Sequence, residues 1–368
     1  MSLVTMRDYI YATPQRVLEI VEQSQIITQP LVDLYTKQKY KQIIFVASGS
    51  SYTAIHCVRG FICDVLKTEV KIVNPFTFAQ YDYRYVTDQD FIVIVSQSGA
   101  STNCIDALLQ LKEINHEKIV LTGHTKSDCQ KYSDYIIDWN CGNETMGYVT
   151  LGVVTLIVYL MLFAVYCAKS LNISNQIDEC KHQIQKAVIN HRRVSQQTEQ
   201  FIHDNYQSLM QMDRVYVLGA GSNYGTALEG ALKMGETIKV LAVGYEQDEF
   251  LHGPALQLSP KYTVFVIDSG DQTSAHAKKV FDGLLKVVQN TYMITPLHID
   301  HPHIFHIEEP CQEEYSCIYY LPFFQLIAEI ISTDLQSKRS HPLYYEMNKV
   351  IDFRTTDFRK THKADEDD

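Results

Sequence analysis

Short apolar runs alternate with helical patterns along most of the chain. The runs are rich in Val and Ile, and between them apolar residues recur at the spacing of one helix face, as at Cys104, Leu108 and Leu111. Buried strands separated by helices indicate a parallel sheet that is covered on both faces. The pattern therefore predicts two doubly wound α/β domains, each with about five strands. The predicted strands are residues 43–47, 70–73, 91–95, 118–122 and 135–138 in the first half, and 214–218, 238–243, 262–267, 291–295 and 303–307 in the second.

The two halves of the chain repeat one another. Residues 43–52 (IIFVASGSSY) match residues 215–224 (VYVLGAGSNY), and residues 91–99 (FIVIVSQSG) match residues 262–270 (YTVFVIDSG). Each stretch reads as an apolar strand that ends in a turn of small polar residues. Because both pairs are separated by nearly the same length of chain, we interpret them as one duplicated unit.

Three segments lie outside this pattern. Residues 145–168 carry no charge and are long enough to span a bilayer, but a single span would place two similar halves on opposite sides of a membrane. We therefore expect a buried helix there and no membrane association.

Residues 171–205 are polar with apolar residues at helical spacing, which predicts a helical connector. The charged residues 353–368 are expected to be mobile.

Composition narrows the possible partners and the compartment. The 368 residues include 32 Lys and Arg against 43 Asp and Glu, so the net charge is −11 and nucleic acid is disfavoured as the main ligand. Small anions remain compatible, because backbone amides can bind them locally. The nine cysteines are odd in number and form no CxxC, and the first residues lack the pattern of a secretory signal. We expect reduced thiols in a cytoplasmic protein.

Two loops rich in hydroxyl groups follow predicted strands of the first half. They are Ser48-Gly-Ser-Ser51 and Ser96-Gln-Ser-Gly-Ala-Ser-Thr102. In a parallel sheet such loops meet at one edge, where hydroxyls, backbone amides and helix dipoles can bind a phosphate. The alternative is that these serines only cap helices. In the second half Asn223 replaces Ser51 and Asp268 replaces Ser96, which predicts that only the first half binds an anion.

A second group of candidate residues lies in the second half. Glu229, Lys233 and Glu236 fall on one face of a predicted helix, where the alternative is a solvated row of ion pairs. His252 follows in a loop fixed by Gly253 and Pro254. Histidine is the side chain most easily poised for proton transfer near neutral pH, although a single loop histidine is often incidental.

Taken in order along the chain, these motifs resemble the sugar-isomerase (SIS) family. The arrangement is similar to the two-domain isomerase half of glutamine–fructose-6-phosphate amidotransferase. The matching motifs are SGSSY at 48–52, SQSG at 96–99, ALEGALK at 227–233 with Glu236, LHGP at 251–254 and, more weakly, Lys349. The resemblance implies an α/β fold of two tandem SIS domains, each a three-layer αβα sandwich around a five-stranded parallel sheet. Their expected bounds are residues 20–170 and 206–335, with a connector at 171–205 and a C-terminal tail at 336–368 that closes the site.

The resemblance also implies roles for individual residues. Glu236 would shuttle a proton between C1 and C2 of a sugar phosphate, and His252 would open the ring from the neighbouring subunit of a homodimer. Lys349 would lie near the O1 or amine end of the substrate, and Lys233 would assist. Neither a metal nor another cofactor is implied. The residues that would bind the substrate phosphate are Ser50, Ser51, Ser96, Gln97, Ser98 and Ser101.

Departures from the amidotransferase pattern suggest a different reaction. We expect no glutaminase domain and so no transfer of ammonia from glutamine. The familiar Glu-Thr after the SQSG motif is Ala100-Ser101 here, and residues 144–150 (ETMGYVT) replace a Ser-Thr-Lys pattern. The chain looks more like the stand-alone fructosamine-6-phosphate deglycases of carbohydrate-derivative metabolism, which release glucose 6-phosphate and an amine. The alternatives are an aldose–ketose isomerase, an amino-sugar-phosphate deaminase, or a non-catalytic regulator that binds a sugar phosphate.

Overall fold

The first half of the chain folds around a five-stranded parallel sheet. The computed structural model describes residues 4–351 and 354–355. The strand order of the first sheet is β2-β1-β3-β4-β5, so β1 is flanked by β2 and β3. Strands β1 and β3 are buried at every position, which explains their continuous apolar sequences. These strands are β1 (Gln42–Ala47), β2 (Glu69–Val73), β3 (Asp90–Val95), β4 (Ile119–Thr122) and β5 (Tyr135–Asp138).

A second parallel sheet repeats this topology. Its order, β10-β9-β8-β6-β7, is that of the first sheet read from the opposite edge. The predicted five strands in each half and the duplication are therefore confirmed. The strand predicted over residues 238–243 begins only at Leu241, because a helix continues to Thr237 and Lys239 takes a left-handed backbone conformation with φ 67°. The strands are β6 (Arg214–Gly219), β7 (Leu241–Glu246), β8 (Tyr262–Ile267), β9 (Asn290–Thr295) and β10 (Ile304–His306).

Helices follow most of the strands, and short 3₁₀ turns complete the connections. Helices pack on both sheets through apolar residues at helical spacing, as the sequence predicts. The helices are α1 (Met6–Glu22), α2 (Ser24–Thr36), α3 (Gly49–Leu66), α4 (Pro75–Gln80), α5 (Thr102–Glu113), α6 (Leu151–Ser170), α7 (Ile177–Asp204), α8 (Tyr206–Met210), α9 (Ser222–Thr237), α10 (Ser274–Leu284), α11 (Ser316–Asp334) and α12 (Pro342–Val350).

Both faces of the first sheet are covered by helices. On one face, Ile94 and its neighbours form a core with α4 and α5. On the other face, Phe91 packs edge-on against Tyr35 of α2, which in turn packs against Phe163 of α6 at centroid distances of 5.1 and 5.8 Å. The first sheet is therefore the central layer of an αβα sandwich.

The second sheet has the same three layers. Val266 and Met293 face a core that includes Phe281 of α10. On the opposite face, Phe265 packs edge-on against Phe324 of α11 at 5.7 Å, and Tyr292 packs against Phe201 of α7 at 5.6 Å. The second half is thus also an αβα sandwich, as the fold class predicted.

The chain divides into two compact units that are not simply its two halves. Of the described residues, 19–55, 61–180, 339–351 and 354–355 form the unit of the first sheet. Residues 4–18, 56–60 and 181–338 form the unit of the second sheet. Helix α1 therefore belongs with the second sheet, where Arg7 pairs with Glu199 of α7. Helix α12 belongs with the first.

Two helical segments have the length and apolar composition of a membrane span. They are Leu151–Ser170 and Glu313–Asp334, and the apolar windows that qualify them are 100% and 89% buried within the protein. The first is α6, whose Tyr159 hydroxyl donates to the carbonyl of Ile27 at 3.3 Å. Burial against other helices accounts for a charge-free sequence, as expected for residues 145–168.

His191 in α7 should make the free energy of unfolding depend on pH. Burial lowers its pKa from 6.5 to about 3, so the folded protein keeps it neutral while the unfolded chain binds a proton below pH 6.5. Stability is therefore lost as the pH falls below the unfolded pKa. We expect a loss of about 2 kcal/mol from this group between pH 7 and 5.

Urea unfolding of His191→Gln at pH 7 and pH 5 checks this expectation. The variant should lose about 2 kcal/mol less than the wild type over that interval. His182→Gln, an exposed position on the same helix, is the matched control and should keep the wild-type dependence. An equal pH dependence in all three proteins would contradict the assignment.

Candidate functional site

The two hydroxyl loops follow neighbouring strands of the first unit. The first leads from β1 into α3, and Gly49 at the turn has φ +56°, a conformation that glycine adopts without strain. Ser50 and Ser51 lie buried in the first turn of α3. The equivalent Gly221 in the second unit has φ +57°, so the duplicated turn keeps the same backbone.

The second loop leads from β3 into α5. Gly99 has φ +59°, and a Cβ there would lie 1.9 Å from the Oγ of Ser127, so only glycine fits. Ser96 is buried at the start of the loop, whereas Ser98 and Ser101 are partly exposed. Because β1 and β3 are hydrogen-bonded neighbours, their carboxyl ends place both loops at one edge of the sheet.

The serines at the helix starts do not act as simple caps. Ser48 and Ser101 occupy the N-cap positions of α3 and α5, and neither side chain in this described part of the chain makes a capping hydrogen bond. The Ser48 hydroxyl instead accepts from the amide of Asn103 at 3.2 Å. The structure therefore does not show either serine as a side-chain cap of its helix, and a role of this loop in binding an anion stays a prediction.

Gln97 is turned toward a carboxylate that the sequence did not single out as a partner. Its Nε2 donates to Glu144 at 2.9 Å. The same carboxylate accepts from the amides of Thr150, Leu151 and Gly152 at 2.6, 3.0 and 3.1 Å, which are the first amides of α6. Glu144 therefore caps the charge-free helix and fixes the Gln97 side chain. Its position four or more residues before the helix gives it no recognisable capping spacing in the sequence.

Arg354 is a further residue at the loop that sequence reasoning missed. One guanidinium nitrogen donates to the hydroxyls of Ser98 and Ser101 at 2.8 and 3.1 Å. The residue lies in a stretch expected only to be mobile. Of that stretch the structure describes Arg354 and Thr355, and the rest lies outside the described residues. A single arginine in a charged tail gives no pattern from which its contact could be predicted.

Lys349, the weaker motif of the tail, is exposed on α12. Its ammonium group pairs with Glu346 at 2.6 Å, one turn earlier on the same helix. In this arrangement its charge is directed to a neighbour on α12. The sequence-based role of Lys349 near the amine end of a substrate stays a prediction.

The Glu–Lys–Glu group of the second unit is buried rather than solvated. The Lys233 ammonium lies 3.3 Å from Glu229 and 2.7 Å from Glu236 on α9. The side chains of Lys233 and Glu229 are 1% and 0% exposed, whereas that of Glu236 is 36% exposed. The alternative of a solvated row of ion pairs is therefore wrong for Lys233 and Glu229.

The charge balance of this group keeps the lysine protonated. Burial by itself would lower the pKa of Lys233, but the charges of Glu229 and Glu236 outweigh it and raise the pKa. Lys233 thus forms ion pairs with both carboxylates, and of the two only Glu236 reaches the surface. A carboxylate fixed by a cation and open to solvent on one side can accept a proton from a bound molecule.

His252 lies at the end of a 3₁₀ turn, Glu249–His252, and is exposed. Gly253 follows with φ +147°, and Pro254 begins the next turn, so the backbone holds the histidine outward. Within the described chain, His252 makes neither a hydrogen bond nor an ion pair. The structure therefore leaves its ring available at the surface of its unit.

The second unit carries carboxylates where the first carries hydroxyls. Glu313 accepts from the amide and the hydroxyl of Ser222 at 2.8 and 2.7 Å, at the first turn of α9. Asp268, which replaces Ser96, accepts from Thr295 and Ser274 at 2.6 and 2.7 Å. An external anion at this turn would meet two carboxylates of the protein. That only the first unit binds an anion stays a prediction.

No constellation typical of a metal site occurs among residues 4–351 and 354–355: no group of three or more His, Cys, Asp or Glu side chains is suitably arranged.

The fold and these motifs agree with a family assignment. The SIS domain family matches residues 37–165 and 208–298, one match on each sheet. This chain belongs to the SIS domain family, as the resemblance in the sequence indicated.

Relatives and solved structures support the same class. The chain is 23% identical over 283 residues to the glutamine–fructose-6-phosphate aminotransferase of Thermococcus kodakarensis, covering 76% of this chain and 45% of that enzyme. It thus spans less than half of the length of that relative. Among solved structures, a candidate phosphosugar isomerase from Clostridium difficile 630 is 25% identical with a TM-score of 0.85, covering 94% of this chain and 98% of the other. A glucosamine-6-phosphate deaminase from Thermotoga maritima shares the fold at 18% identity and a TM-score of 0.68, with coverages of 89% and 98%.

Replacing Lys233 should destabilise the second unit strongly. Lys233→Met leaves the buried carboxylate of Glu229 without its cation, which we expect to cost about 3–5 kcal/mol in the free energy of unfolding. The double variant Lys233→Met with Glu229→Gln removes the uncompensated charge and should recover part of this loss. Urea unfolding of both variants measures the difference.

Lys278→Met in α10 is the matched control for this prediction. Lys278 pairs with Asp282 four residues later, but both side chains are about half exposed, at 43% and 50%. Exposed pairs contribute about 0–1 kcal/mol. A loss in Lys233→Met no larger than in the control would show that the buried lysine does not hold the two carboxylates.

Proposed function

We propose that this chain is a phosphosugar-processing enzyme that acts as a fructosamine-6-phosphate deglycase. The proposal rests on the observation that one chain contains both a hydroxyl-rich loop and a partly exposed carboxylate held by a buried lysine. One unit has a hydroxyl loop whose serines are not used as helix caps, and the other has Glu236 fixed by a buried lysine yet open to solvent. Membership of the SIS domain family and similarity to phosphosugar enzymes support the substrate class.

The proposed substrate is a ketose 6-phosphate that carries an amine on C1. The phosphate would bind at the first unit through hydroxyl donors and the N-terminal ends of α3 and α5. No lysine is required for such a site, because several neutral donors can share the charge. The residues proposed to hold the phosphate are Ser50, Ser51, Ser96, Gln97, Ser98 and Ser101.

The proposed reaction needs one base that carries a proton between adjacent carbons. Glu236 removes a proton from C1, the electron pair forms a double bond between C1 and C2, and the C2 carbonyl oxygen takes up a proton from solvent to give an enaminol. Glu236 then returns its proton to C2, and the amine nitrogen loses a proton to solvent, which leaves an imine between C1 and that nitrogen. Water adds to C1 and the amine leaves, so the products are glucose 6-phosphate and a free amine.

The other proposed roles follow from position and charge. Lys233 holds Glu236 in place and balances its charge, as its ion pair at 2.7 Å supports. His252 would assist ring opening in a neighbouring subunit, for which its exposed position in a rigid turn is suitable. Lys349 would contact the O1 or amine end. We propose that the enzyme works as a homodimer in the cytoplasm, with no metal or organic cofactor.

An assay of the purified chain with a panel of fructosamine 6-phosphates tests the proposal. Glucose 6-phosphate is followed with a coupled dehydrogenase, and the relative rates identify the amine. Glu236→Gln should lower kcat by about 10²- to 10⁴-fold, because it removes the proton acceptor but keeps the shape of the side chain. Binding of glucose 6-phosphate, measured by calorimetry, should stay close to that of the wild type.

Glu309→Gln is the matched control, because Glu309 lies in the same unit but its side chain is 75% exposed in a pair with Arg193. It should keep the wild-type rate. Ammonia released from glucosamine 6-phosphate, with no reaction of the fructosamines, would replace the proposal with a deaminase. Interconversion of aldose and ketose phosphates would replace it with an isomerase. Binding of sugar phosphates without turnover of any substrate would replace it with a regulator.

A further inference from the structure

A short C-terminal segment of the first unit is fixed across the second hydroxyl loop. Arg354 forms an isolated antiparallel bridge with Ser101, and the amide of Thr355 donates to the carbonyl of Ala100 at 3.0 Å. The Thr355 hydroxyl also donates to Asp128. The bridge to Ser101 and the contacts of Thr355 hold the arginine against the loop.

The guanidinium group determines how the loop hydroxyls can bond. The Ser98 oxygen accepts from Arg354 at 2.8 Å and from the amide of Ala100 at 3.3 Å. A hydroxyl has two acceptor positions and one proton, so these two bonds leave Ser98 with the proton to donate. The Ser101 hydroxyl also accepts from Arg354, at 3.1 Å. Both serines are thereby turned into donors toward a group at the loop.

The position also concentrates positive charge in an acidic protein. The chain has a net charge of −11, yet the cation of Arg354 contacts this loop in a partly buried position, and burial lowers the pKa of its guanidinium group. The N-terminus of α5, directly after Ser101, adds the positive end of a helix dipole. Arginine, hydroxyl donors and a helix N-terminus together favour a doubly charged anion over a singly charged one.

We propose that Arg354 is part of the anion site and makes it selective for the dianion of a phosphate monoester. This inference rests on the proposed function, because it assumes that the loop binds the substrate phosphate. Arg354 acts in two ways: it sets the Ser98 and Ser101 protons toward the ligand and adds a full positive charge beside it. The site would thus distinguish ligands by the charge of their anionic group, whatever sugar or amine they carry.

Calorimetry with glucose 6-phosphate and glucose 6-sulfate at pH 7.5 tests the proposal on the full chain. The phosphate ester is mainly a dianion at this pH, whereas the sulfate ester is a monoanion. Arg354→Gln should weaken binding of the phosphate ester by about 10- to 100-fold and of the sulfate ester much less. The dissociation constant of the sulfate ester divided by that of the phosphate ester should therefore fall in Arg354→Gln. Arg354→Lys should restore most of the wild-type ratio.

Two further variants separate this role from a structural one. Arg339→Gln removes one positive charge from an exposed position in the same unit and should keep the wild-type ratio. Thr355→Val removes the hydroxyl contact to Asp128 but keeps the arginine and the backbone contacts to Ala100 and Ser101 that position it, so it should also keep the ratio. An equal loss for both esters in Arg354→Gln, matched by Thr355→Val, would overturn the proposal in favour of a structural clamp.

The remaining outcomes distinguish this inference from the proposed function. Tighter binding of the phosphate ester to Arg354→Gln would overturn the inference, since the guanidinium would then be a competitor for the site. If the wild type binds the esters and the ratio of dissociation constants is the same in Arg354→Gln, only the role of Arg354 is overturned. Failure of the wild type to bind either ester or inorganic phosphate would overturn the anion site and with it the proposed function.

Discussion

The first amides of a helix have no carbonyl partner within the helix, and each helix that starts at a strand end must find one elsewhere. This requirement organises both sheets. Glu144 satisfies it for α6, and Glu313 satisfies it for α9. At α3 and α5 the N-cap serines, within the described chain, do not. The same duplicated turn thus carries a carboxylate of the protein itself in one unit and hydroxyl groups in the other.

A second constraint is the burial of charge on α9. Lys233 is buried between two carboxylates, and their attraction outweighs the desolvation that would otherwise deprotonate it. Glu229 contributes to this balance without reaching the surface, so it serves to hold the lysine charged. Glu236 gains a fixed position while keeping access to solvent. The two carboxylates on one helix face thus differ in position: Glu229 is buried with the lysine, whereas Glu236 remains partly exposed.

The sequence predicted most of the architecture, because it is encoded in local patterns. Buried strands such as β1 and β3 appear as continuous apolar runs, and the repeated glycines at Gly49 and Gly221 share one left-handed turn. Residues whose roles depend on the path of the chain were missed. Arg354 and Glu313 reach their loops from distant segments, and neither stands in a motif that spacing would reveal. Burial of Lys233 also depends on packing around α9, which periodicity alone does not give.

The carboxylate of Glu313 at the start of α9 has a thermodynamic consequence for the whole chain. Its unit supplies a carboxylate of its own at the helix start, where the first unit carries hydroxyl groups. Under the proposed function the phosphate group therefore binds at the first unit. Linkage to that site would stabilise the folded chain by about 2.7 kcal/mol when the free ligand is at 100 times its dissociation constant.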